Sequence, residues 1–431
     1  MPPTAPRATA PRAAAPVPDF RYADWLQDDA VQRVFALLGA SETRLVGGCV
    51  RDALLGLAVA NWDFATRHQP QETLKRLRGE RVKTSEVGLR HGTVVAHIGG
   101  RAFEITSLRR DVRPDGRHSA VQFGGTWKSD AARRDFTVNA LYVSADGKLH
   151  DPLGTGLADM RARRLRFIGS PSERLKEDYL RVLRFFRMHY LLRGERAPSR
   201  TELKALEAHA PGLAQLSPER VRAEIWKLLA LPHFVDALEA MQTAQILAQL
   251  LPPSVLGGLN FARARELEAI GQAQFFAPDP LLHLAALLPH AEAAAQLGGI
   301  WHLSKAEQKY LREALQPGER LVSYLSLREV RRLLYRWGVA AFRARALLAW
   351  AEDKHPRKAI FWRAMLAMAE NWQRPRLPLT GAMMRAAGVP QGPAMTRIKK
   401  EVERWWVDSD FIDDKFSIIE RLKAIVQATL Y

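Results

Sequence analysis

Cysteine is all but missing from this chain of 431 residues, in which Cys49 stands alone. One thiol excludes an intrachain disulfide framework and a thiolate zinc cluster, and it fits a reducing cytoplasm. Long apolar runs are missing too. None reaches the roughly 18 to 20 residues that cross a bilayer, so no helical membrane span is expected. Residues 1–16 (MPPTAPRATAPRAAAP) lack the apolar centre of a secretory signal. Proline-rich and free of acids, that segment heads a disordered basic tail over 1–22; the alternative is an organelle transit peptide, whose amphipathic helix the prolines oppose. Acids are in deficit over the whole chain. Against 64 Lys and Arg stand 46 Asp and Glu, giving a formal net charge of +18 and a pI near 10.3. Such a surface attracts polyanions, and nucleic acid or acidic lipid both qualify. No repeat of roughly 30 or 40 residues is evident, which argues against a solenoid. The content of 47% apolar and 26% charged residues is that of a globular chain, long enough for about two to four packed units.

What is present concentrates near the front, in LVGGCVRDALLGLAVANWDFAT (45–66). A short strand over 43–46 meets Gly47 and Gly48, and a helix pattern follows. The glycine pair lets the backbone turn sharply with its N–H groups bare. The helix adds its positive end, and Arg51 adds a planar donor fork for phosphate oxygens. Asn61 and Asp63 are two apart on a second strand, which puts their side chains on one face. Two oxygen ligands on one face suit a hard divalent ion such as Mg²⁺, with nucleotide phosphates completing its shell. Taken alone, a Gly-Gly pair is also met in plain tight turns.

Helical patterning starts near Ala23, and PQETLKRLRGE (70–80) continues it. Then the period changes to two. VVAHI, Gly99-Gly100 and RAFEITSL read as a tight hairpin. Its second strand carries Phe103 and Ile105 on one face and Glu104 and Thr106 on the other, with Glu104 beside Asp63. Residues 110–125 are polar and aperiodic, which makes them a loop. Ser129 is expected to cap a helix SDAARRDFTVNALYV. Arg134, Asp135 and Asn139 would lie within about a turn and a half of it, as a triphosphate and ribose site or as a solvated face. DPLGTGLAD (151–159) is a turn-rich link. LKEDYLRVLRFFRMHYLL (175–192) reads as one helix on which Asp178, Arg181, Arg184 and Arg187 recur every three residues. That stripe is a solvated face, a phosphate grip or a nucleotide site. From Ser199 onward helix follows helix. His283, His290 and His302 are expected at the surface or in the core, and most tryptophans in the core.

Several of these strings closely resemble the tRNA nucleotidyltransferase (CCA-adding enzyme) and bacterial poly(A) polymerase family. They are Gly-Gly-x-Val-Arg-Asp at 47–52, the Glu-Ile-Thr-x-Leu-Arg of 104–109, Arg-Arg-Asp-Phe-Thr-x-Asn-Ala at 133–140, the link at 151–159 and Glu-Asp-x-x-Arg at 177–181. The resemblance covers roughly 31–224 and, more loosely, a tail element at 377–395. It implies an α+β protein. A mixed-sheet nucleotidyltransferase head (23–155) would precede an all-α neck and body with a base-selecting helix (156–275), then a body and tail that bind RNA (276–431). It also implies addition of C, C and A to the acceptor end of tRNA from CTP and ATP, with pyrophosphate released, in the cytoplasm. Asp63, Glu104 and Asn61 would be catalytic and hold Mg²⁺, Asn61 standing where the family has its first metal aspartate. Gly48, Arg51, Arg109, Arg134, Asp135, Asn139, Asp178, Arg181, Arg184 and Arg187 would bind nucleotide. In the family, a loop matched by Asp111, Asp115 and Arg117 helps the pocket switch from cytidine to adenosine. Two alternatives accompany this reading: a poly(A) polymerase, and an RNA-binding relative whose chemistry lapsed with Asn61.

Overall fold

The computed structural model describes residues 19–59, 61–86, 88–89, 92–111, 121–355, 358–412 and 414–430. The tail over 1–18, and Asp115 and Arg117 of the expected loop, lie outside them. Two compact units divide the chain, Met1–Arg193 and Gly194–Tyr431.

The first unit is built on nine strands: β1 (Thr43–Val46), β2 (Asp63–Thr66), β3 (Lys83–Ser85), β4 (Thr93–Ile98), β5 (Arg101–Ser107), β6 (Arg109–Asp111), β7 (Val121–Phe123), β8 (Tyr142–Val143) and β9 (Leu149–His150). Seven of them form one sheet in the order β3-β4-β5-β2-β1-β8-β9, and β6 and β7 pair apart. Only β2 and β5 run parallel within the large sheet, so it is mixed, as expected. The β4–β5 hairpin closes on Ile98 and Arg101. Gly99 and Gly100 take φ of 58° and 76°, the two left-handed positions that a two-residue turn demands. Period-two alternation then sorts the faces. Phe64 and Phe103 turn toward the Asp29–Leu38 helix, where Phe35 meets Phe64 edge-on at 5.2 Å. Asp63 and Glu104 turn the other way.

The second unit is helical among its described residues, from Arg200–Glu207 to Lys415–Leu430. Ser199, Ser304 and Ser326 each start a helix with a reciprocal Ser–Glu capping box. Trp350, Trp362 and Trp406 are fully buried, but Trp25, Trp62, Trp226, Trp337, Trp372 and Trp405 are only half-buried, so fewer tryptophans lie in the core than expected. His283 stacks on Phe234, while His302 sits at the surface beside Glu219.

Three local expectations are corrected. Asn61 shares no strand with Asp63: β2 begins at Asp63, and Asn61 is exposed ahead of it. The ladder simply runs out there, since the pairs Leu45–Phe64 and Asp63–Glu104 are the last ones toward that end. The helix after Gly125 is capped by Thr126, not Ser129. Thr126 Oγ1 accepts from Ser129 N at 3.1 Å, and Ser129 Oγ accepts from Thr126 N at 2.9 Å. This helix spans only Trp127–Ala132, so Arg134, Asp135 and Asn139 lie beyond it. Asp135 Oδ1 takes the Phe136 N–H at 2.8 Å, and Phe136 bridges to Phe167; both compete with helix continuation. Finally, 175–192 is two helices, Pro171–Glu177 and Leu180–Arg193. Asp178 between them is extended (φ −154°, ψ 105°), and its Oδ1 accepts from Leu180 N at 3.1 Å. That is a cap for the second helix.

Candidate active site

The parallel pairing of β2 with β5 aligns Asp63 with Glu104, and in-register neighbours project from the same face. Both carboxylates line one cleft of about 240 Å³, together with Thr106, Arg109, Arg133 and Arg134. Asn61 is not among its lining residues. Gly47 sits at its edge with φ of 79°, and a Cβ there would lie 3.5 Å from Arg134 Nη1 and 3.7 Å from Asp63 Oδ2. A guanidinium and a carboxylate therefore converge on a backbone kept bare by glycine. Gly48 begins the Gly48–Leu54 helix, and its N-terminal end adds a partial positive charge. Cys49, buried one residue on, is inert: burial and then the charge of Asp63 push its thiol up to about 12.

Sequence reasoning missed what holds Arg134 in place. Asp130 is 1% exposed. Its carboxylate accepts from Arg133 Nε at 2.8 Å, from Arg134 Nη2 at 2.9 Å and from the Tyr142 hydroxyl at 2.7 Å. Burial opposes its ionisation, yet Arg134 and Arg133 keep its carboxyl below the ordinary aspartate range. Burial likewise works against the Arg134 charge, and Asp130 with Tyr142 more than restores it. Spacings of three and four residues from Asp130 to the two arginines were the signal available in the sequence.

Four other expected residues form a network of their own. Arg51, 8% exposed, donates to Asp52 Oδ1 at 2.9 and 2.7 Å and to Asn139 Oδ1 at 2.9 Å. Asn139 Nδ2 donates to Asp135 Oδ1 at 3.0 Å, and Asp135 Oδ2 pairs with Arg184 at 2.6 Å. Burial raises the cost of the Asp135 charge, but Arg184 holds its carboxyl low. Arg181, half-buried, donates to Glu177 Oε2 at 2.6 Å and to the Arg174 carbonyl at 2.8 Å. Asp178 and Arg187 are also half-buried, and neither they nor Arg181 line the cleft. A larger cavity of about 740 Å³ in the second unit mixes Arg263, Arg320, Arg345 and Lys354 with Glu319, Glu352 and Asp353. It lacks a strand-borne carboxylate pair.

Known proteins match along most of the chain. Residues 43–166 fit the poly A polymerase head domain, and residues 200–255 fit the probable RNA and SrmB-binding site of polymerase A. The mitochondrial CCA tRNA nucleotidyltransferase 1 of Danio rerio is 30% identical over 391 residues, covering 88% of this chain and 87% of that protein. The CCA-adding enzyme of Streptococcus gordonii is 31% identical over 386 residues, covering 89% and 93%. Among solved structures, the Bacillus stearothermophilus CCA-adding enzyme in complex with CTP superposes with a TM-score of 0.69 at 22% identity, over 93% of this chain and 98% of that one. The Thermotoga maritima CCA-adding enzyme complexed with tRNA gives 0.61 at 18% identity, over 95% and 97%. At these identities the structures speak for the fold.

Proposed function

This chain belongs to the family of class II CCA-adding enzymes and poly(A) polymerases, and from that membership we propose that it adds C, C and A, without a nucleic-acid template, to the 3′ end of tRNA. CTP and ATP are the donors and pyrophosphate leaves. One observation carries the reading: Asp63 and Glu104 stand in register on adjacent parallel strands, facing a cleft walled by Arg109, Arg133 and Arg134.

The donor set fits a divalent ion. Two carboxylates side by side are hard oxygen ligands, and no third acid or histidine joins them among the described residues, which leaves positions for phosphate oxygens and water as Mg²⁺ prefers. Asp63 and Glu104, which line the cleft, would hold it, whereas Asn61 does not line it. When bound, such an ion polarises the α-phosphate and lowers the pKa of the attacking 3′-hydroxyl. The remaining work falls to this chain's own groups. Arg134 and Arg133, fixed by Asp130, neutralise the charge that builds on the leaving pyrophosphate, and Arg109 closes the same wall. The bare N–H groups at Gly47 and Gly48 meet phosphate oxygens. The Arg51–Asn139–Asp135–Arg184 network holds the Gly48–Leu54 helix and the 180–193 helix at a fixed spacing.

Base choice falls to Asp178 and Arg181. Cytosine and adenine each present an amino donor beside an unprotonated ring nitrogen, which an aspartate acceptor and an arginine donor complement. Uracil and guanine present the reverse order and would leave buried polar groups unpaired. We take the reaction to be cytoplasmic, a compartment with which a single cysteine is compatible. The deciding experiment incubates tRNA lacking its last three nucleotides with CTP, ATP and Mg²⁺. One finite CCA addition is expected. A long A tract would instead assign a poly(A) polymerase, and tRNA binding without addition, restored by Asn61→Asp, would assign a lapsed enzyme.

A further inference from the structure

Arg44 and Arg67 share one indole. Arg44 Cζ lies 4.3 Å from the Trp127 ring centroid and Arg67 Cζ lies 5.7 Å from it. Arg44 is on β1, two residues before Val46, which lines the reaction cleft, and it pairs with Ala65, two residues after Asp63. The alternation of β1 and β2 therefore puts this group on the reaction face of the sheet, at its far end. Four residues separate Asp63 from Arg67, roughly 13 Å of extended chain.

The charges here do not balance. The half-buried Arg44 guanidinium stacks on Trp127 with no hydrogen bond or ion pair among the described residues. Burial, then the like charge of Arg67, pulls its pKa down. The Arg67 side chain is exposed and meets the Glu42 carboxylate at 3.8 Å, while its backbone N–H donates to the Glu42 carbonyl at 2.9 Å. Lys148 adds to the same field, and burial followed by Arg44 and Lys148 disfavours the charged form of His150, which therefore adds no charge near pH 7. Asp146 is the other carboxylate facing the group, and it is engaged by Ser144 Oγ at 2.5 Å and the Lys148 N–H at 3.3 Å. Two guanidiniums over one indole, at 4.3 and 5.7 Å from its centroid, gather donor N–H groups at one place on this face. That geometry suits bidentate contact with phosphate oxygens.

We propose that Arg44 and Arg67, braced on Trp127, form a phosphodiester subsite for the RNA strand whose 3′ end enters the Asp63–Glu104 cleft. The patch lies on the same sheet face as the cleft, beyond Asp63, where its cations would meet a strand that leaves the cleft along this face. The inference rests on the RNA-extending reading.

Titrating tRNA by fluorescence anisotropy between 50 and 200 mM salt tests it. Each phosphate contact contributes about 0.7 to 0.9 to the slope of log affinity against log salt. The double variant R44Q/R67Q should bind tRNA about tenfold more weakly at the lower salt, with a slope shallower by roughly 1.4 to 1.8. Arg67→Gln alone, at an exposed position that folding does not depend on, should make the slope shallower by about 0.7 to 0.9, and Arg67→Lys should restore it. Unchanged slope and affinity in R67Q and in the double variant would overturn the subsite. So would an equal loss of CTP affinity, which marks a general field, or a loss confined to anionic phospholipid vesicles with tRNA binding intact. Wild-type protein that fails to bind tRNA would instead bring down the RNA-extending reading, and the subsite with it.

Discussion

Asp130 shows how much a single buried carboxylate organises here. It touches none of the groups expected to react, yet it receives Arg133, Arg134 and Tyr142 at once. Removing one partner of a buried, hydrogen-bonded charge group costs about 3 to 5 kcal/mol, because the remaining charges lose their compensation. Asp130→Asn is therefore expected to destabilise the head by about that amount at pH 7 and to raise KM for CTP and ATP together. The sign of its pH dependence follows from the depressed folded-state pKa. A carboxyl held below its unfolded value contributes stability that is complete above about pH 4 and is lost as pH falls through the lower folded value. The difference between wild type and D130N in urea unfolding should thus be full at pH 6 and shrink toward pH 3. A difference that is constant with pH would mean that Asp130 acts through its shape alone.

At the scale of elements, the sequence was most informative where a period repeats and least where side chains compete with the backbone. The strand over 43–46 and the Gly99-Gly100 hairpin were legible because alternation and turn chemistry act locally, whereas bringing Asp63 and Glu104 into one site drew on the family resemblance. The breaks at Ala132 and Glu177 were not legible. Each depends on a polar side chain taking a backbone N–H that helix propagation would otherwise use, Asp135 with Phe136 and Asp178 with Leu180. The Arg51–Asn139–Asp135–Arg184 chain was hidden for another reason: it joins residues as far as 88 apart in sequence, and no spacing rule spans that. The break at Asp178 sharpens the test of base choice. Asp178→Ala would remove both the cap and the proposed base acceptor, and loss of a cap costs about 1 kcal/mol. Asp178→Ser keeps a capping hydroxyl but is too short to reach a base. Serine is therefore expected to leave the melting temperature near wild type while incorporation of UTP and GTP rises in a four-nucleotide competition. Selectivity equal to wild type in the serine variant would sink the templating role, and lost selectivity in alanine alone would trace it to the cap.

For the whole molecule, the charge excess sets how RNA is held. Many of the 64 cations are already committed to acids. In the second unit, Arg331 pairs with Asp410, Arg332 and Arg336 with Glu319, and Arg265 with Asp236 and Glu239. Only 46 acids are available, so even one-to-one pairing leaves at least 18 cations without an acid, enough for several phosphate contacts. An acceptor stem gripped at about six phosphates would give a log–log salt slope of roughly −4 to −5, an affinity loss of about a few hundred- to a thousandfold between 50 and 200 mM. Nucleotide binding in the cleft should respond far less, because the half-buried Arg134 is paired with the buried Asp130 and such a pair is screened little by salt. The two titrations therefore separate the grip from the chemistry. With tRNA and CTP measured over the same range, a steep slope for the first and a shallow one for the second is the expected result. Equal slopes would mean that one electrostatic field serves both ligands, and a flat tRNA response would mean that shape and stacking hold the RNA while the basic surface serves something else.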